Sequence, residues 1–481
     1  MGRRLTDTLF QCLARSAVHE GSQASPVQGR IRVCDPVRIF PTFALSCVLD
    51  NQQDSGAELT DRSFIYDEVF KYLGEFGRYQ KRLYFMLCLP AIVSALHKLG
   101  GVFLQAKAAH RCRLPGDDSH ANYTLPSNIM NMSYPWDVGE KYWSSCLVLD
   151  ANFTGDYYKN NIPANRSEAC DSWVYDRTLY SSSTVMEFDL VCDLSWMPAT
   201  TDAVFMSGDL IGSTLFGYFS DRFGRRPIFF FTLAMQSIFG IAAAAMPNAV
   251  GFMITRFLIG LTASALYVAA YILAMELVGP TKRMFAAMIY AYFFTTGYIL
   301  CAFFSYFLNN WRYLQLALSA PGLILFSYWW FLPESTRWLL SNRQKVAAKR
   351  ILIKAADVNK VTIPDKVLEN IRLFVGSLSE EGKDHSVLDL VRVRSVRART
   401  LIIGFNWFVI SCTYFGLSWN SPNLGGNDYV NFLMSGLVEI PAPALLIFTL
   451  DRWGRKPIFT GCMFGTAIVL LVSNFISSGE H

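Results

Sequence analysis

The stretch GYFSDRFGRRP, from Gly217 to Pro227, lies between two long apolar runs and decides how the rest of the chain is read. Arginines in a turn between membrane spans hold that turn on the cytoplasmic side, because positive charge there resists translocation. Its glycines let two helix ends approach closely while Asp and Arg pair across the gap. A near copy, Asp451-Arg452-Trp453-Gly454-Arg455-Lys456-Pro457, follows much later, again between apolar runs. One such turn is a weak signal. Two in corresponding places point to two related halves.

The composition agrees with a membrane protein: 52% hydrophobic, 15% aromatic and only 17% charged, with apolar runs long enough to span a bilayer. The net charge of +5 comes from cations in short loops beside apolar runs, a pattern of membrane orientation rather than a nucleic-acid-binding face. Of 11 cysteines, Cys112, Cys146, Cys170 and Cys192 fall in one polar loop that also carries four N-x-S/T sequons, at Asn122, Asn131, Asn152 and Asn165. Sequons and paired cysteines in one segment place it in an oxidising lumen or outside the cell. Four cysteines allow three pairings, and spacing does not choose among them. No CxxC pair occurs and the six histidines show no ligand spacing, so no metal is expected.

Taken in order, residues 1–63 have no sustained period and predict a disordered cytoplasmic tail. Residues 64–332 predict a first half of six helices. Its spans are Leu83–Gln105, Met197–Phe219, Pro227–Met246, Val250–Leu277, Met284–Leu308 and Tyr313–Leu332, with an extracellular loop at 106–196. Residues 333–399 turn polar and predict linker helices lying at the cytoplasmic surface. Residues 400–481 hold three more spans, about Thr400–Trp419, Val430–Leu450 and Pro457–Ser477, a partial second half. Arg222, Arg225, Arg226, Lys282, Arg283, Arg452, Arg455 and Lys456 all fall on one side of these spans and the sequons on the other. Both signals put the N-terminus in the cytoplasm.

These residues resemble the major facilitator superfamily and, within it, the organic cation, organic anion and carnitine transporters. The likeness runs from about Tyr66 onward. It is carried by GEFGRYQ at 74–80, the Cys- and sequon-bearing loop, the turn at 217–226, Arg256-x-x-x-Gly260, and Glu276-x-x-Gly-Pro-x-x-Arg283. It continues in Asn310-Trp311-Arg312, in PESTRWLL at 333–340 and in Val438-Glu439-Ile440-Pro441 followed by DRWGRKP. The resemblance implies an all-α membrane protein with the major facilitator fold. It also implies twelve spans where this chain shows about nine, so the second half reads as incomplete. Ile447 stands where the second turn would begin with Gly.

The same resemblance implies that Asp221, Arg225, Arg226, Glu276, Arg283, Glu334, Arg337, Asp451 and Arg455 form a cytoplasmic gate; topogenic charge and static helix-end pairing are the alternative. Ionisable residues inside spans are costly, at least ~2.5 kcal/mol at mid-bilayer, and mark the next candidates. Glu439 matches a Glu that lines the family's central cavity. Asp209 and Asp202 share one stripe of the second span, and Asp209 is the deeper. Arg256 matches the superfamily's Arg position, either countering an internal acid or binding a substrate carboxylate. His97 and Lys98 read as snorkelling or cavity-edge residues. Aromatic rings attract quaternary ammonium by about 0.5–2 kcal/mol each. Trp407 and Tyr414 match cavity-lining positions, while Tyr267 with Tyr271 and Tyr290 with Phe293 share helix faces.

No nucleophile elbow, zinc-protease helix or Walker lysine appears, which disfavours an enzyme or an ATP-driven pump. The expectation is a multi-pass plasma-membrane carrier of small organic cations or zwitterions such as carnitine, working by alternating access without a cofactor. Tyr267-Val268-Ala269-Ala270 and Trp329-Trp330-Phe331 lean toward the carnitine branch. The alternatives are an organic anion carrier and a truncated, non-transporting isoform or regulatory membrane protein. The partners expected are the substrate and the lipid bilayer, with no nucleic acid; self-association through the extracellular loop is left open.

Overall fold

The computed structural model describes residues 69–118, 121–137, 142–151, 153, 157–158, 166–364, 367, 392, 394–421 and 425–477. The expected tail at 1–63 and two of the sequons, Asn152 and Asn165, lie outside them. Helix α1 runs Arg78–Leu99, α2 Met197–Phe223, α3 Arg225–Ala244, α4 Ala249–Glu276, α5 Arg283–Phe307 and α6 Trp311–Leu325. Two helices in the polar linker follow, α7 Thr336–Ser341 and α8 Lys345–Asn359. Then come α9 Arg394–Asn420, α10 Asp428–Val438, α11 Pro441–Trp453 and α12 Arg455–Ser477.

Among the described residues, seven helical stretches are long and apolar enough to cross a membrane, by length and composition. Of the nine expected spans, the second and sixth are not among them. Helix α2 is 27 residues long but carries Asp202, Asp209, Asp221 and Arg222. The sixth is shorter than read: α6 has 15 residues, and the chain tightens into a 3-10 turn over Phe326–Trp330. The eighth is two helices, because the chain turns at Glu439–Ile440 and Pro441 offers no N–H to carry α10 onward.

Helix ends follow local chemistry. The side chains of Asn248, Asn310 and Ser335 accept from the backbone N–H groups of Gly251, Arg312 and Trp338 at 2.7, 2.9 and 3.2 Å, capping α4, α6 and α7. Gly224 joins α2 to α3 at φ 112°, a conformation that favours glycine. Helices α2 and α4 cross with almost no space between backbones. A Cβ at Gly212 would sit on the carbonyl of Leu261, and one at Gly260 on the carbonyl of Phe205. Gly208 and Gly212 form the small-xxx-small spacing that such contacts require without a hydrophobic drive between helices in lipid.

Large apolar side chains remain on the outside, among them Ile324, Trp330, Leu401, Phe408 and Phe448. The apolar windows of α9 and α12 bury nothing against the protein. This is the pattern of surface that meets lipid or other apolar helices, not water.

The loop after α1 departs from an all-helical reading. It carries three two-stranded antiparallel ladders: His110–Cys112 with Trp173–Tyr175, Trp136–Asp137 with Tyr142–Trp143, and Leu147–Leu149 with Ser167–Ala169. Of the three pairings left open, the structure has Cys112–Cys170 and Cys146–Cys192. His110 lies beside the second bridge, but bridged sulfurs are not thiolate ligands. Asn122 and Asn131 are exposed.

The module is fastened to the bundle by the Asn310-Trp311-Arg312 motif. The Trp311 indole donates to Glu187 at 2.7 Å. Arg312 donates to Glu187 at 2.5 Å and to the carbonyls of Ala244 and Met246 at 2.6 and 2.9 Å. Within the module, Arg111 pairs with Asp117 at 2.6 Å and donates to the Asn122 carbonyl at 2.7 Å. Burial alone would raise the Asp117 carboxyl, but the Arg111 hydrogen bond and the Leu114 N–H outweigh it and hold it below the usual carboxylate range. A depressed carboxylate stabilises above its unfolded value and loses that contribution as pH falls through the folded one. Amide protection factors around Arg111–Tyr134, each taken against the unfolded-chain rate at the same pH, should therefore hold from neutrality to about pH 4 and fall below it. Flat protection down to pH 2 would refute this.

Candidate functional site: a polar seam between two sets of helices

Glu439 stands at the turn between α10 and α11, and its side chain meets α5 and α9. Its Oε2 accepts from the Thr295 hydroxyl of α5 at 3.2 Å, and the Tyr414 hydroxyl of α9 also bonds to it. Both partners are neutral hydroxyls. Among the described residues, no ion pair cancels the Glu439 charge.

Asp209 and Asp202 are placed differently. Lys98 reaches inward from α1 and pairs with Asp209 at 3.0 Å, donating also to Ser264 of α4 at 2.7 Å. The backbone N–H of Ser264 donates to the other Asp209 oxygen at 3.1 Å. Lys98 does not snorkel, and Asp209 is not an unpaired acid waiting for a cation; each is the other's counter-ion. Both stay partly accessible, at 12% and 16%, although His97 and Leu99 beside them are buried. The Lys98 ammonium also lies 5.9 Å from the Phe415 ring of α9, so this pair borders the same helix as Glu439. About two turns before Ser264 on α4, Arg256 is fully buried. It donates to the His97 carbonyl at 3.1 Å, lies 4.0 Å from Asp202 and stacks on Phe205 at 4.3 Å. Gln105 donates to Asp202 at 2.8 Å.

The aromatic candidates divide. Tyr267 and Tyr271 are partly accessible and both rings meet Tyr290, at 5.1 and 5.2 Å. Tyr290 itself is buried and gives its hydroxyl to the Tyr267 carbonyl at 3.0 Å, so it packs behind the seam and props the other two. Tyr414 touches Glu439; Trp407, on the same helix, is 39% exposed.

The charged positions expected as a gate gather within the first set of helices and α7. Glu334 accepts the backbone N–H groups of Arg225 and Arg226 at 3.1 Å each and of Ser335 at 2.8 Å, so it caps the start of α3. Helix N-termini favour negative charge, which explains why Glu stands there. Arg225 pairs with Asp221. Arg226 donates to the Trp329 carbonyl at 2.6 Å and lies over its ring at 4.9 Å. Glu276 accepts from the Ser335 hydroxyl and interacts electrostatically with Arg225 and Arg337. Arg283 donates to the Val278 carbonyl at 3.1 Å. Arg455 sits at the second turn, next to Gly454 at φ 77°; the side chain of Asp451 lies outside the described residues.

Several contributors were not singled out in the sequence. Thr295, Ser264, Ser335, Trp329 and Trp338 all bind site residues, and Trp338 donates to the Asp221 carbonyl at 2.7 Å. Small hydroxyls within apolar spans carry no periodic signal, although Ser335 and Trp338 sit inside the PESTRWLL motif. Asn359, at the end of α8, clasps the start of α1 by accepting from the Tyr79 N–H at 2.9 Å and donating to the Leu73 carbonyl at 3.0 Å. The linker helix is therefore docked by Ala348, Leu352 and Ala355 onto Phe70 and Leu73, a firmer attachment than lying at the membrane surface.

A membrane-spanning bundle with paired mid-span charges, a broken helix and one carboxylate met only by hydroxyls has the make-up of a carrier. The sugar (and other) transporter family model matches residues 155–478. An organic cation transporter protein of Drosophila melanogaster is 45% identical over 424 residues, covering 86% of this chain and 76% of that one. The human organic cation/carnitine transporter 2 is 33% identical, covering 85% and 75%. A β-alanine transporter of Drosophila melanogaster is 34% identical, covering 81% and 69%. The xylose transporter XylE of E. coli superposes with a TM-score of 0.48 at 16% identity, over 79% of this chain and 75% of that one. The chain belongs to the major facilitator superfamily and, within it, to the organic cation/carnitine transporter family. It is a multi-pass membrane transporter and not an enzyme.

Proposed function

We propose that the chain carries small organic cations and zwitterions across the plasma membrane as a secondary transporter, by alternating access, with its N-terminus in the cytoplasm. The observation that supports this best is Glu439, an intramembrane carboxylate at a helix break whose partners, Thr295 and Tyr414, are both uncharged. A carboxylate so placed attracts a cation and repels an anion. Relatives that transport organic cations, carnitine and β-alanine favour the same substrates. In this reading the sequon-bearing module faces outward, with Asn122 and Asn131 as glycan acceptors, and the charge cluster around Glu334 faces the cytoplasm.

Contacts at the outward end of the seam support alternating access. Tyr180 of the loop module donates to Asp428 at the start of α10, at 2.8 Å, and the Tyr429 hydroxyl donates to the Leu179 carbonyl at 3.2 Å. Phe103, Tyr429, Phe432 and Tyr298 pack together beneath them, with ring centroids 4.5–5.4 Å apart. These contacts join segments far apart in the chain and would have to part for the cleft to open outward. Tyr180→Phe removes the hydrogen bond and should shift the equilibrium outward by ~1 kcal/mol, about fivefold. Labelling of a cysteine placed at Thr295 by an impermeant cationic thiol reagent added outside should speed up accordingly. A slower or unchanged rate would count against the seam as a gate.

The reading as a whole is tested by uptake in proteoliposomes of the full chain. Labelled tetraethylammonium should enter saturably and compete with carnitine, while an aromatic carboxylate such as p-aminohippurate should not enter above empty vesicles. Saturable entry of the carboxylate alone would replace a cation carrier by an anion carrier.

A further inference from the structure

Charged side chains within membrane spans pair with one another and face either the bundle interior or a water-filled cavity. The Lys98–Asp209 pair remains accessible on both members, at the seam where the two sets of helices meet. An ammonium group has three N–H donors. Lys98 spends one on Asp209 at 3.0 Å and one on Ser264 at 2.7 Å, and no third acceptor stands within bonding distance among the described residues. Its third neighbour is the face of Phe415 at 5.9 Å. Phe415 is next to Tyr414, whose ring is 5.1 Å away and whose hydroxyl reaches Glu439. A cation with an unfilled donor and an uncancelled carboxylate therefore flank adjacent rings of one helix.

We propose that Lys98 is the carboxylate-binding end of a two-ended site, so that the chain selects zwitterions in which an ammonium and a carboxylate are joined by a short chain. The proposal rests on the cation-carrier reading above and adds to it the other end of the substrate. The substrate carboxylate takes the third N–H of Lys98, while the ammonium lies against Glu439 and the Tyr414 ring. Asp209 stays in place: it keeps the net charge around Lys98 near zero, so the empty site does not hold an inorganic anion tightly. Ser264 fixes the lysine head by binding both members of the pair. Neither end alone distinguishes a zwitterion from a simple cation; the pair of ends does.

The test uses matched substrates in proteoliposomes of the full chain: betaine against choline, which differ only by a carboxylate in place of a hydroxymethyl group, and a longer-chain pair built the same way. Lys98→Gln should raise KM for the carboxylate members by about tenfold or more, the loss expected of one charge-assisted hydrogen bond. KM for the alcohols should stay within about twofold, and Vmax for both should hold. Should Lys98→Gln fail to assemble because Asp209 is left unpaired, Lys98→Gln with Asp209→Asn removes both charges together and is read the same way. Equal losses on both members would make Lys98 structural and overturn the proposal, as would no loss on either. A wild type that carries the alcohols but no carboxylate overturns it and leaves the cation-carrier reading standing. Uptake of neither class by the wild type sinks both.

Discussion

Glu439→Gln should lower uptake of a quaternary ammonium by at least about tenfold while leaving the amount of protein in the membrane unchanged. The side chain keeps its size, and an amide oxygen can still accept from Thr295 and Tyr414, so the helix break should survive. What goes is a full negative charge. Two unit charges 4 Å apart at an effective dielectric constant of 20 attract by ~4 kcal/mol. The carboxylate is partly accessible, so water screens a share of this, and a tenfold loss is a conservative floor. The effect should fall on KM more than on Vmax, since the charge acts in binding. A variant whose KM for tetraethylammonium stays within twofold of wild type would remove Glu439 from the substrate site and with it the main support for a cation carrier.

Gly212→Ala should destabilise the bundle by about 1–3 kcal/mol, the range for forcing one methyl into a filled interface. The added Cβ has nowhere to go: it meets the backbone of Leu261, which cannot rotate away as a side chain would. Helices α2 and α4 must separate, and with them Asp209 and Ser264, which bond across this crossing at 3.1 Å. Uptake should fall in step with the melting temperature measured in detergent. Gly217→Ala on the same helix meets nothing within 4 Å, so it should leave uptake unchanged and raise stability slightly, by the helix preference for Ala of about 0.5–1 kcal/mol. Equal effects at the two positions would mean that the close crossing does not hold these helices together.

The family and the membrane fold were legible in the sequence because they depend on features that act locally. Apolar length, cation placement and the repeated turn each work through the chain's own neighbours and the bilayer. Gly224 belongs to the same local class, because the turn's backbone requires it; the caps at Asn248, Asn310 and Ser335 are local too but came from the structure. The gate motifs were found, but their partners were not. Glu334 was expected as one half of an ion pair, whereas it caps α3 through backbone N–H groups, a role that leaves no mark in charge patterning. The broken eighth span was signalled by Pro441, yet its apolar length concealed it.

By itself, then, the chain's order of residues determined that this is a multi-span helical membrane protein, which loop carries cysteines and sequons, and which charges lie in apolar stretches. Tertiary structure alone decided what those charges are. Asp209 and Glu439 look alike in one dimension: each is an acid in the middle of an apolar run. They differ because Lys98, more than a hundred residues away, lands on one, while the other meets only Thr295 and Tyr414. The electrostatic character of a buried group is set by what packs against it in space, since in a low-dielectric interior a single opposite charge at 3 Å outweighs everything the surrounding sequence contributes.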